Sequence, residues 1–452
     1  MKKMVFTALF LLYSSMFSFA DTKANIKSGS ILHCWCWSFK TIKANIERIK
    51  DAGFTAIQTS PVNACLIGEN GGMELMSSSN GKWYYHYQPT DFTIGNYQLG
   101  TRDEFISMCK AAKENNIAVI VDIVPNHTTP MIDKVSKEMI EYCGGLENFY
   151  HKGKNQGIRS SIINSKVGGL PDINTENPKF QEYLGNFLKD LEYCGADGFR
   201  IDYAKHIALP DDPKDDEKLP NNFYSFITRN RNMFVYGEVL QDANSREEEY
   251  GKYISVTASN YGKLLRSAAK NKKFPAKGIV NFQNKASPNL VTWVESHDTY
   301  ANKGESACLT DFEIRSAWAV IAARKEGTPL FFSRPKGKEA IQFPGESKIG
   351  DAGNDEFFNP EIKALNRFRL EMKDEMKDEM NMFFNDENGI LYIRRGNKGL
   401  VIINPKEKEL NVEFKSSLPE KKYSDRAWGI KFKVNKGLIK GKIPAQKICV
   451  IY

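Results

Sequence analysis

The sequence predicts an α/β protein built as a (β/α)8 TIM barrel, with a small inserted domain after strand 3 and a C-terminal antiparallel β domain. Short apolar segments alternate with longer amphipathic segments along most of the chain, and this unit occurs eight times. Alternating strands and helices favour a parallel sheet with right-handed crossovers, and eight such units close a barrel. The last part of the chain contains short alternating segments with turn residues between them, which is typical of an antiparallel sheet.

The first unit shows why each segment is assigned to a strand or a helix. Residues 30–38 (SILHCWCWS) form an apolar segment that predicts a strand. In the next segment Ile42, Ile46 and Ile49 fall on one helical face, and Gly53 is a helix stop. The other predicted strands of the barrel are 54–61, 117–127, 199–203, 234–240, 256–259, 290–298 and 328–334, and the other predicted helices are 102–115, 178–194, 221–231, 261–271, 311–326 and 359–373.

Two parts of the chain depart from this alternation. Residues 128–177 are rich in Gly, Asn and Ser and show little periodicity, and a segment of this length is too long for an ordinary loop. We therefore expect an inserted domain there, within a barrel formed by 21–127 and 178–376. The segment EMKDEMKDEM (371–380) predicts a solvated helix end, and alternating strands after it predict a β domain over 377–452.

The N-terminus predicts a secretory signal peptide over residues 1–20. It has two lysines, an apolar stretch from Val5 to Phe17, and the sequence Ser-Phe-Ala, which predicts cleavage after Ala20. No later apolar run is long enough to span a bilayer. We expect a soluble, monomeric protein that is secreted, or periplasmic in a Gram-negative source, with no membrane partner after cleavage.

Charge and cysteine content argue against several classes of protein. The formal net charge is +8, but the lysines are scattered, so no nucleic-acid partner is expected. Eight cysteines in 452 residues are too few for a disulfide scaffold, and most are expected to be small core residues. An exported protein could still contain one or two disulfides, and the sequence does not indicate which cysteines would pair.

Charged residues follow four of the predicted strands, at the edge where a TIM barrel carries its active site. These residues are Asp122 with Asn126 and His127, Arg200 and Asp202 with Lys205 and His206, Glu238, and His297 with Asp298. Each group has another explanation: a structural ion pair between Arg200 and Asp202, an arginine partner for Glu238, or a loop cap at Asn126-His127. Several carboxylates on one rim are costly unless an arginine, a metal or a substrate offsets them, so their convergence favours a functional site.

Three carboxylates with an arginine and two histidines suit glycoside hydrolysis. A retaining mechanism needs a carboxylate nucleophile, a group that acts first as an acid and then as a base, and groups that stabilise an oxocarbenium-like transition state. Asp202, two residues from Arg200, would be kept ionised by the guanidinium and suits the nucleophile. Glu238 has the apolar neighbours Tyr236 and Val239 and suits the acid.

Five short motifs resemble those of the α-amylase family in order and spacing. They are DIVPNH (122–127), GLPDIN (169–174), GFRIDYAKH (198–206), GEV (237–239) and SHD (296–298). The resemblance covers the chain from residue 29 to its end, and longer runs such as DAGFTAIQTSP and TWVESHDTYAN are most similar to secreted saccharifying α-amylases of bacilli. It implies a catalytic barrel with an inserted domain and a C-terminal β domain, which matches the organisation predicted above.

The resemblance also implies a role for each residue that matches a motif. Asp202 would be the nucleophile, Glu238 the general acid/base and Asp298 the transition-state stabiliser. The residues implied to bind substrate are His127, Arg200 and His297 at the sugar where cleavage occurs, Tyr87 as its aromatic platform with Gln88 beside it, Trp83 and Tyr84 further out, and Lys205 and His206 on the aglycone side. Without the resemblance, a packed aromatic loop is the favoured interpretation of WYYHYQP (83–89).

Calcium (Ca2+) is the cofactor that the resemblance implies. Oxygens of Asn126 and Asp172 and the backbone carbonyl of His206 would hold it between the barrel and the insertion, and oxygen ligands suit a hard cation. Asp122 would support the arginine and the nucleophile rather than react. Relatives that bind chloride carry an asparagine and a basic residue where this chain has Ser296 and Leu330, so no chloride is expected.

The leading hypothesis is a secreted α-amylase that cleaves α-1,4-glucosidic bonds within starch, glycogen and related glucans with retention of configuration. No starch-binding module is expected after Tyr452. One alternative is an enzyme of the same fold that acts on short maltooligosaccharides or by transglycosylation. Another is a non-catalytic carbohydrate-binding barrel, which predicts loss of a catalytic carboxylate, whereas all three are present.

Overall fold

A computed structural model describes residues 22–68, 72–73, 75, 82–153, 157–229, 231–271, 289–302, 304–336, 347–373, 380–385 and 389–452. The predicted signal peptide and most of EMKDEMKDEM lie outside these residues. The position 376/377, predicted as the start of the C-terminal domain, also lies outside them. The boundaries predicted for the barrel and the insertion stay predictions.

Eight parallel strands close a barrel, as the sequence predicts. The first ten strands are β1 (Ile31–Cys34), β2 (Ala56–Thr59), β3 (Asn63–Cys65), β4 (Pro89–Ile94), β5 (Ala118–Ile123), β6 (Gly198–Ile201), β7 (Phe234–Gly237), β8 (Ser255–Thr257), β9 (Leu290–Trp293) and β10 (Thr328–Phe332). Around the barrel the order is β1, β2, β5, β6, β7, β8, β9 and β10, and β10 pairs with β1. Strands β3 and β4 form a separate antiparallel pair. All carboxyl ends of the barrel strands therefore meet on one rim.

The helices are α1 (Phe39–Asp51), α2 (Arg102–Glu114), α3 (Lys137–Tyr142), α4 (Leu146–Phe149), α5 (Ile158–Ile163), α6 (Pro178–Cys194), α7 (Phe223–Thr228), α8 (Glu247–Tyr250), α9 (Ser259–Lys270), α10 (Asp311–Ala323) and α11 (Pro360–Glu371). Most of them follow barrel strands where amphipathic segments predict them, whereas the short helices α3, α4, α5 and α8 were not predicted. Helix α6 begins at the predicted residue because Asn177 caps it and Pro178 occupies its first position. It ends at Gly195, whose φ of +110° a residue with a side chain rarely adopts.

The chain between β5 and α6 leaves the barrel and carries α3, α4 and α5. Isolated bridges join His127 to Asp172 and Tyr150 to Ile173. The backbone N–H of Ile173 also donates to the carbonyl of Asn126, at 2.8 Å. The insertion is thus attached directly beside the end of β5, next to the charged rim.

The C-terminal strands form two antiparallel sheets. They are β11 (Met380–Asn385), β12 (Ile390–Arg395), β13 (Gly399–Asn404), β14 (Leu410–Lys415), β15 (Lys422–Ser424), β16 (Lys431–Asn435), β17 (Leu438–Ile443) and β18 (Lys447–Ile451). The sheet orders are β11-β12-β13-β18 and β14-β17-β16-β15. Alternate residues of β13 face opposite sides: Leu400 and Ile402 pack between the sheets, whereas Val401 and Ile403 join the core of the barrel.

Buried ion pairs and hydrogen bonds join this β domain to the barrel. Glu361 of α11 is fully buried and accepts hydrogen bonds from the backbone N–H of Ile448 at 3.0 Å and from the indole of Trp428 at 2.9 Å. Arg315 of α10 contacts its other oxygen at 2.8 Å. Arg395 of β12, also buried, donates to the carbonyl of Ala323. The β domain is therefore fixed to the helical side of the barrel.

All eight cysteines are free thiols, and seven are buried. Most are therefore core residues, as expected, and none of the disulfides that the sequence left open is formed. Burial raises the pKa of Cys65 to about 12 and that of Cys143 to about 11. Among the described residues, no helix has both the length and the apolar character needed to cross a bilayer.

Replacing Glu361 with alanine should destabilise the protein strongly. The change leaves the N–H donors of Ile448 and Trp428 without their acceptor and leaves Arg315 with Glu356 as its remaining carboxylate, at a cost of about 3–5 kcal/mol. The measurement is the free energy of unfolding in denaturant. The control is Glu413→Ala, which removes an exposed pair with Lys440 and should change stability by less than about 0.5 kcal/mol. Equal effects of the two substitutions would contradict a buried anchor at Glu361.

Candidate active site

Arg200 lies at the centre of the charged rim. The barrel register places it opposite Asp122 on β5 and Tyr236 on β7. Its Nη1 lies 2.9 Å from Asp122 Oδ1 and 2.6 Å from Asp202 Oδ1, and its Nη2 lies 3.0 Å from Glu238 Oε2. The two residues predicted as nucleophile and acid therefore share one guanidinium in a nearly dry site.

One guanidinium does not neutralise three buried carboxylates. Burial raises the pKa of Asp122 to about 6, although Arg200 acts in the opposite direction. Burial also raises the pKa of Asp202 well above its ordinary value, with Arg200 again opposing the shift and Glu238 adding to it. The expected influence of Arg200 on Asp202 is thus present, but desolvation outweighs it, and the site retains protons to higher pH than exposed carboxyl groups do.

Hydrogen bonds to residues at the end of β6 and just after it hold Glu238 at the end of β7. Its Oε2 accepts a hydrogen bond from the backbone N–H of Tyr203 at 3.2 Å. Its own backbone N–H donates to Ile201 at 2.9 Å, and its carbonyl accepts from the N–H of Lys205 at 3.2 Å. Ile201 and Tyr203 flank Asp202 in the sequence. The bonds from Glu238 to these two residues therefore fix its position relative to Asp202.

Asp298 lies across the rim, after β9. It begins a turn of π-helix (Asp298–Asn302), and Asn302 donates to its Oδ1 at 3.0 Å. Its side chain is 26% exposed, compared with 3% for Asp202, so it faces the open side of the site. The preceding His297 stacks on Tyr87 with ring centroids 5.0 Å apart. Burial lowers the pKa of His297 to about 3, so this imidazole is neutral near neutral pH.

Polar atoms without a protein partner cluster at the predicted sugar-binding residues. Asp202 Oδ2, His127 Nδ1 and His297 Nδ1 are buried, and no described residue hydrogen-bonds them. His127 is held by its other nitrogen, which lies 2.9 Å from the carbonyl of Tyr87, and burial lowers its pKa to about 4. Buried polar atoms are normally paired, so this cluster is an arrangement suited to a polyhydroxylated ligand.

The aromatic segment at 83–87 is a 3-10 helix beside this cluster. Trp83 is buried, with its ring 6.0 Å from that of Tyr87 and 5.5 Å from that of His297. Tyr84 is half-buried against Trp83, and Gln88 accepts a long hydrogen bond from Thr129 at 3.4 Å. The hydroxyl of Tyr87 donates to Asp122 at 3.0 Å. The aromatic residues of WYYHYQP pack against one another and also contact residues of the site. A packed loop and a substrate-binding segment are therefore compatible interpretations.

Lys205 and His206 lie where the barrel meets the insertion. Lys205 Nζ contacts Asp242 at 2.7 Å, and the His206 ring contacts the carbonyl of Ile162 at 2.8 Å. Arg159 of α5 reaches from the insertion to the carbonyl of Lys205 at 3.3 Å. The predicted aglycone residues are thus anchored by both parts of the chain.

One of the expected calcium ligands, Asp172, contacts a buried histidine that bridges two carboxylates. His151 lies 2.7 Å from Asp172 and 2.8 Å from Glu176. Burial opposes a charge on this ring, but the two carboxylates raise the pKa of His151 to about 10. Burial, followed by the charges of Glu176 and Asp215, raises the pKa of Asp172 to about 7 against the effect of His151. The side-chain amide nitrogen of Asn126 is buried and has no partner among the described residues.

These residues fit an oxygen-ligated cation. Asp172 and Glu176 share the single positive charge of His151, and a buried excess of negative charge favours a cation. Within the described ranges, no three side chains of His, Cys, Asp or Glu are arranged as a metal site. The expected set instead consists of one carboxylate, one amide and one carbonyl oxygen, which is the donor chemistry of calcium rather than of zinc.

Sequence reasoning missed several residues of the site. His33, Gln58 and Tyr236 line its floor, and the hydroxyl of Tyr236 donates to Gln58. These polar residues lie on barrel strands, so attention to inward positions on β1, β2 and β7 would have found them. No strand pattern in the sequence indicates Tyr203 or His151. The position of Tyr203 depends on a turn, and that of His151 depends on how the long insertion folds.

The fold and this arrangement place the chain among the (β/α)8 barrels that carry carboxylates at the carboxyl ends of their strands. Within that class, the chain belongs to the α-amylase family: the family model described as alpha amylase, catalytic domain, matches residues 16–298. The family predicted from the short motifs is confirmed.

Two relatives cover most of the chain. The α-amylase of Butyrivibrio fibrisolvens is 42% identical over 95% of this chain and 48% of its own length. The α-amylase of Clostridium acetobutylicum is 31% identical over 95% of this chain and 54% of its own length. The chain therefore spans about half the length of the curated relatives it matches.

A solved structure supports the fold independently. A variant of α-amylase I from Eisenia fetida in complex with maltohexaose superposes with a TM-score of 0.72. The alignment covers 94% of this chain and 97% of that chain at 18% identity. At this identity the likeness concerns the fold alone.

Removal of the Arg200 charge should destabilise the protein in a pH-dependent way. In Arg200→Met the folded-state pKa values of Asp122 and Asp202 rise further above their unfolded values. The folded state then binds more protons than the unfolded state, and stability falls as pH rises through that window. Near neutral pH, loss of a buried partner costs about 3–5 kcal/mol.

Thermal unfolding of Arg200→Met and the wild type checks this expectation. The melting temperature should fall much more at about pH 8 than at about pH 5. Arg102→Met is the control, because its pair with Asp190 is partly exposed and away from the rim. A loss of stability that does not depend on pH would contradict the compensating role of Arg200.

Proposed function

We propose that the exported chain, processed after Ala20, is an α-amylase that cleaves α-1,4-glucosidic bonds within starch-like glucans and retains the anomeric configuration. The observation that carries this proposal is the pairing of Asp202 and Glu238 through one guanidinium, beside buried polar atoms that no described residue satisfies. A shared guanidinium favours a short distance between the two carboxylates. Retaining glycosidases use a separation of about 5–5.5 Å.

The first half of the reaction uses the free oxygen of Asp202. Oδ1 of Asp202 is bound to Arg200, which leaves Oδ2 for attack on the anomeric carbon. Glu238 gives its proton to the glycosidic oxygen as the bond to the leaving sugar breaks. The sugar is then joined to Asp202 through an ester bond, and the leaving chain departs with its new hydroxyl group.

The second half reverses the roles of the two groups. Glu238, now ionised, removes a proton from water, and the resulting hydroxide attacks the anomeric carbon and displaces Asp202. Asp298, the most exposed of the three carboxylates, faces the side from which the sugar enters and would stabilise positive charge in both transition states. Neutral His127 and His297 present ring nitrogens for hydrogen bonds to sugar hydroxyls.

The carboxylate roles are tested with Asp202→Asn and Glu238→Gln, assayed by release of reducing ends from soluble starch. Both substitutions should lower kcat by about two to four orders of magnitude. The control is Glu413→Gln on the exposed β domain, with wild-type rates expected. Wild-type activity in Glu238→Gln, or no activity of the wild-type protein recovered from culture medium, would contradict the proposal.

The size and configuration of the first products separate the alternatives. Long oligosaccharides in the α configuration support internal cleavage with retention. Immediate glucose or maltose, or products longer than the substrate, support an enzyme of short maltooligosaccharides or a transglycosylase. Binding of starch without any bond cleavage supports the non-catalytic barrel.

We also propose that calcium binds at Asn126, Asp172 and the carbonyl of His206. The ion would neutralise buried charge and tie the insertion to the barrel. Its contribution would be structural, since Asp202, Glu238 and Asp298 supply the groups that react. Chloride is not part of the proposal.

A chelator should lower the melting temperature of the wild-type protein, and added calcium should restore it. A ligand that binds only the folded state stabilises it by about 2.7 kcal/mol at a hundredfold excess over its Kd. Asp172→Asn should abolish this response, whereas Asp133→Asn, an exposed residue of the insertion, should keep it. A wild-type melting temperature that is insensitive to chelator and calcium would contradict the site.

A further inference from the structure

Tyr203, the residue after the predicted nucleophile, has an uncommon backbone conformation. Its φ is +50°, in the left-handed region that bulky side chains rarely adopt. The backbone N–H at this position binds Glu238 and its carbonyl accepts from His206 at 2.8 Å, so the turn requires this conformation. Glycine or asparagine would fit such a turn better than tyrosine. The backbone therefore does not explain the presence of an aromatic side chain.

Core packing does not explain the side chain either. Its ring is half-buried at the site, edge-to-face with His127 at 5.2 Å and tilted against His206 at 5.1 Å. Burial and then the charges of Asp202, Glu238 and Asp298 raise the pKa of the Tyr203 phenol, so the phenol lies within the field of all three carboxylates. Strained residues that persist at a reaction site commonly serve the reaction.

We propose that Tyr203 binds substrate, with its ring forming the apolar wall for the sugar on the leaving-group side of the scissile bond. This inference rests on the proposed function. The acid must lie next to the leaving oxygen, and Tyr203 is bonded to Glu238 through its backbone. The ring also bridges His127, at the cleaved sugar, and His206, at the border with the insertion. A sugar ring offers apolar C–H faces that an aromatic ring contacts favourably.

The test compares two substrates that differ only in what occupies the leaving-group side. Maltohexaose places sugars there, whereas maltotriosyl fluoride places only a bonded fluorine atom, which leaves as fluoride when the bond is cleaved. Tyr203→Ala should lower kcat/KM for maltohexaose by about tenfold, with a clearly smaller fall for the fluoride. Tyr203→Phe keeps the ring and should retain most of the maltohexaose activity. Tyr193→Ala, at a tyrosine that is 84% exposed on α6, is the matched control.

Several outcomes would overturn the proposal. An equal fall of kcat/KM for both substrates in Tyr203→Ala would indicate a purely structural role, and no fall for either would indicate no contact. A fall in Tyr203→Phe as large as in Tyr203→Ala would exclude the ring as the contact. These results concern Tyr203 only when the wild-type protein cleaves both substrates, because a wild type that cleaves neither contradicts the proposed function itself.

Discussion

The contact of Arg200 with three carboxylates is the interaction on which the site depends. It joins β5, β6 and β7, because Asp122, Arg200 with Asp202, and Glu238 follow or lie on these three adjacent strands. One cation is too few for full neutralisation, so the buried carboxyl groups bind protons more tightly than exposed ones do. In the proposed reaction, a positively charged transition state would relieve the remaining excess of negative charge, and a more complete neutralisation by the protein would weaken that attraction.

Much of the fold was predictable because hydrophobic periodicity is a local property. Strand β5 and helix α6 lie where the apolar pattern predicts them, and the structure shows Asn177 capping the helix at its predicted start. The charged residues at the strand ends were also predictable, since parallel strands bring their carboxyl ends to one rim. Physical reasoning suggested the roles of Asp202 and Glu238, and the family resemblance supplied the role of Asp298. Charge and spacing alone did not separate a structural ion pair from a reacting one.

The remaining features depend on contacts between distant parts of the chain. The left-handed turn at Tyr203 follows from bonds to Glu238, and no local pattern around residue 203 indicates it. His151 meets Asp172 and Glu176 only after the insertion has folded back on itself. Glu361 reaches the C-terminal strand through Ile448, 87 residues later. Such contacts belong to tertiary structure, and a single sequence gives no distance between their members.

The buried free thiols have a consequence for how the chain matures. Under the proposed export, an unfolded chain would carry eight thiols into an oxidising environment before any of them is protected. The folded structure removes seven of them from solvent and leaves only Cys308 exposed. Folding would then compete with oxidation, and the rate of folding would determine how much of the chain escapes incorrect cross-links.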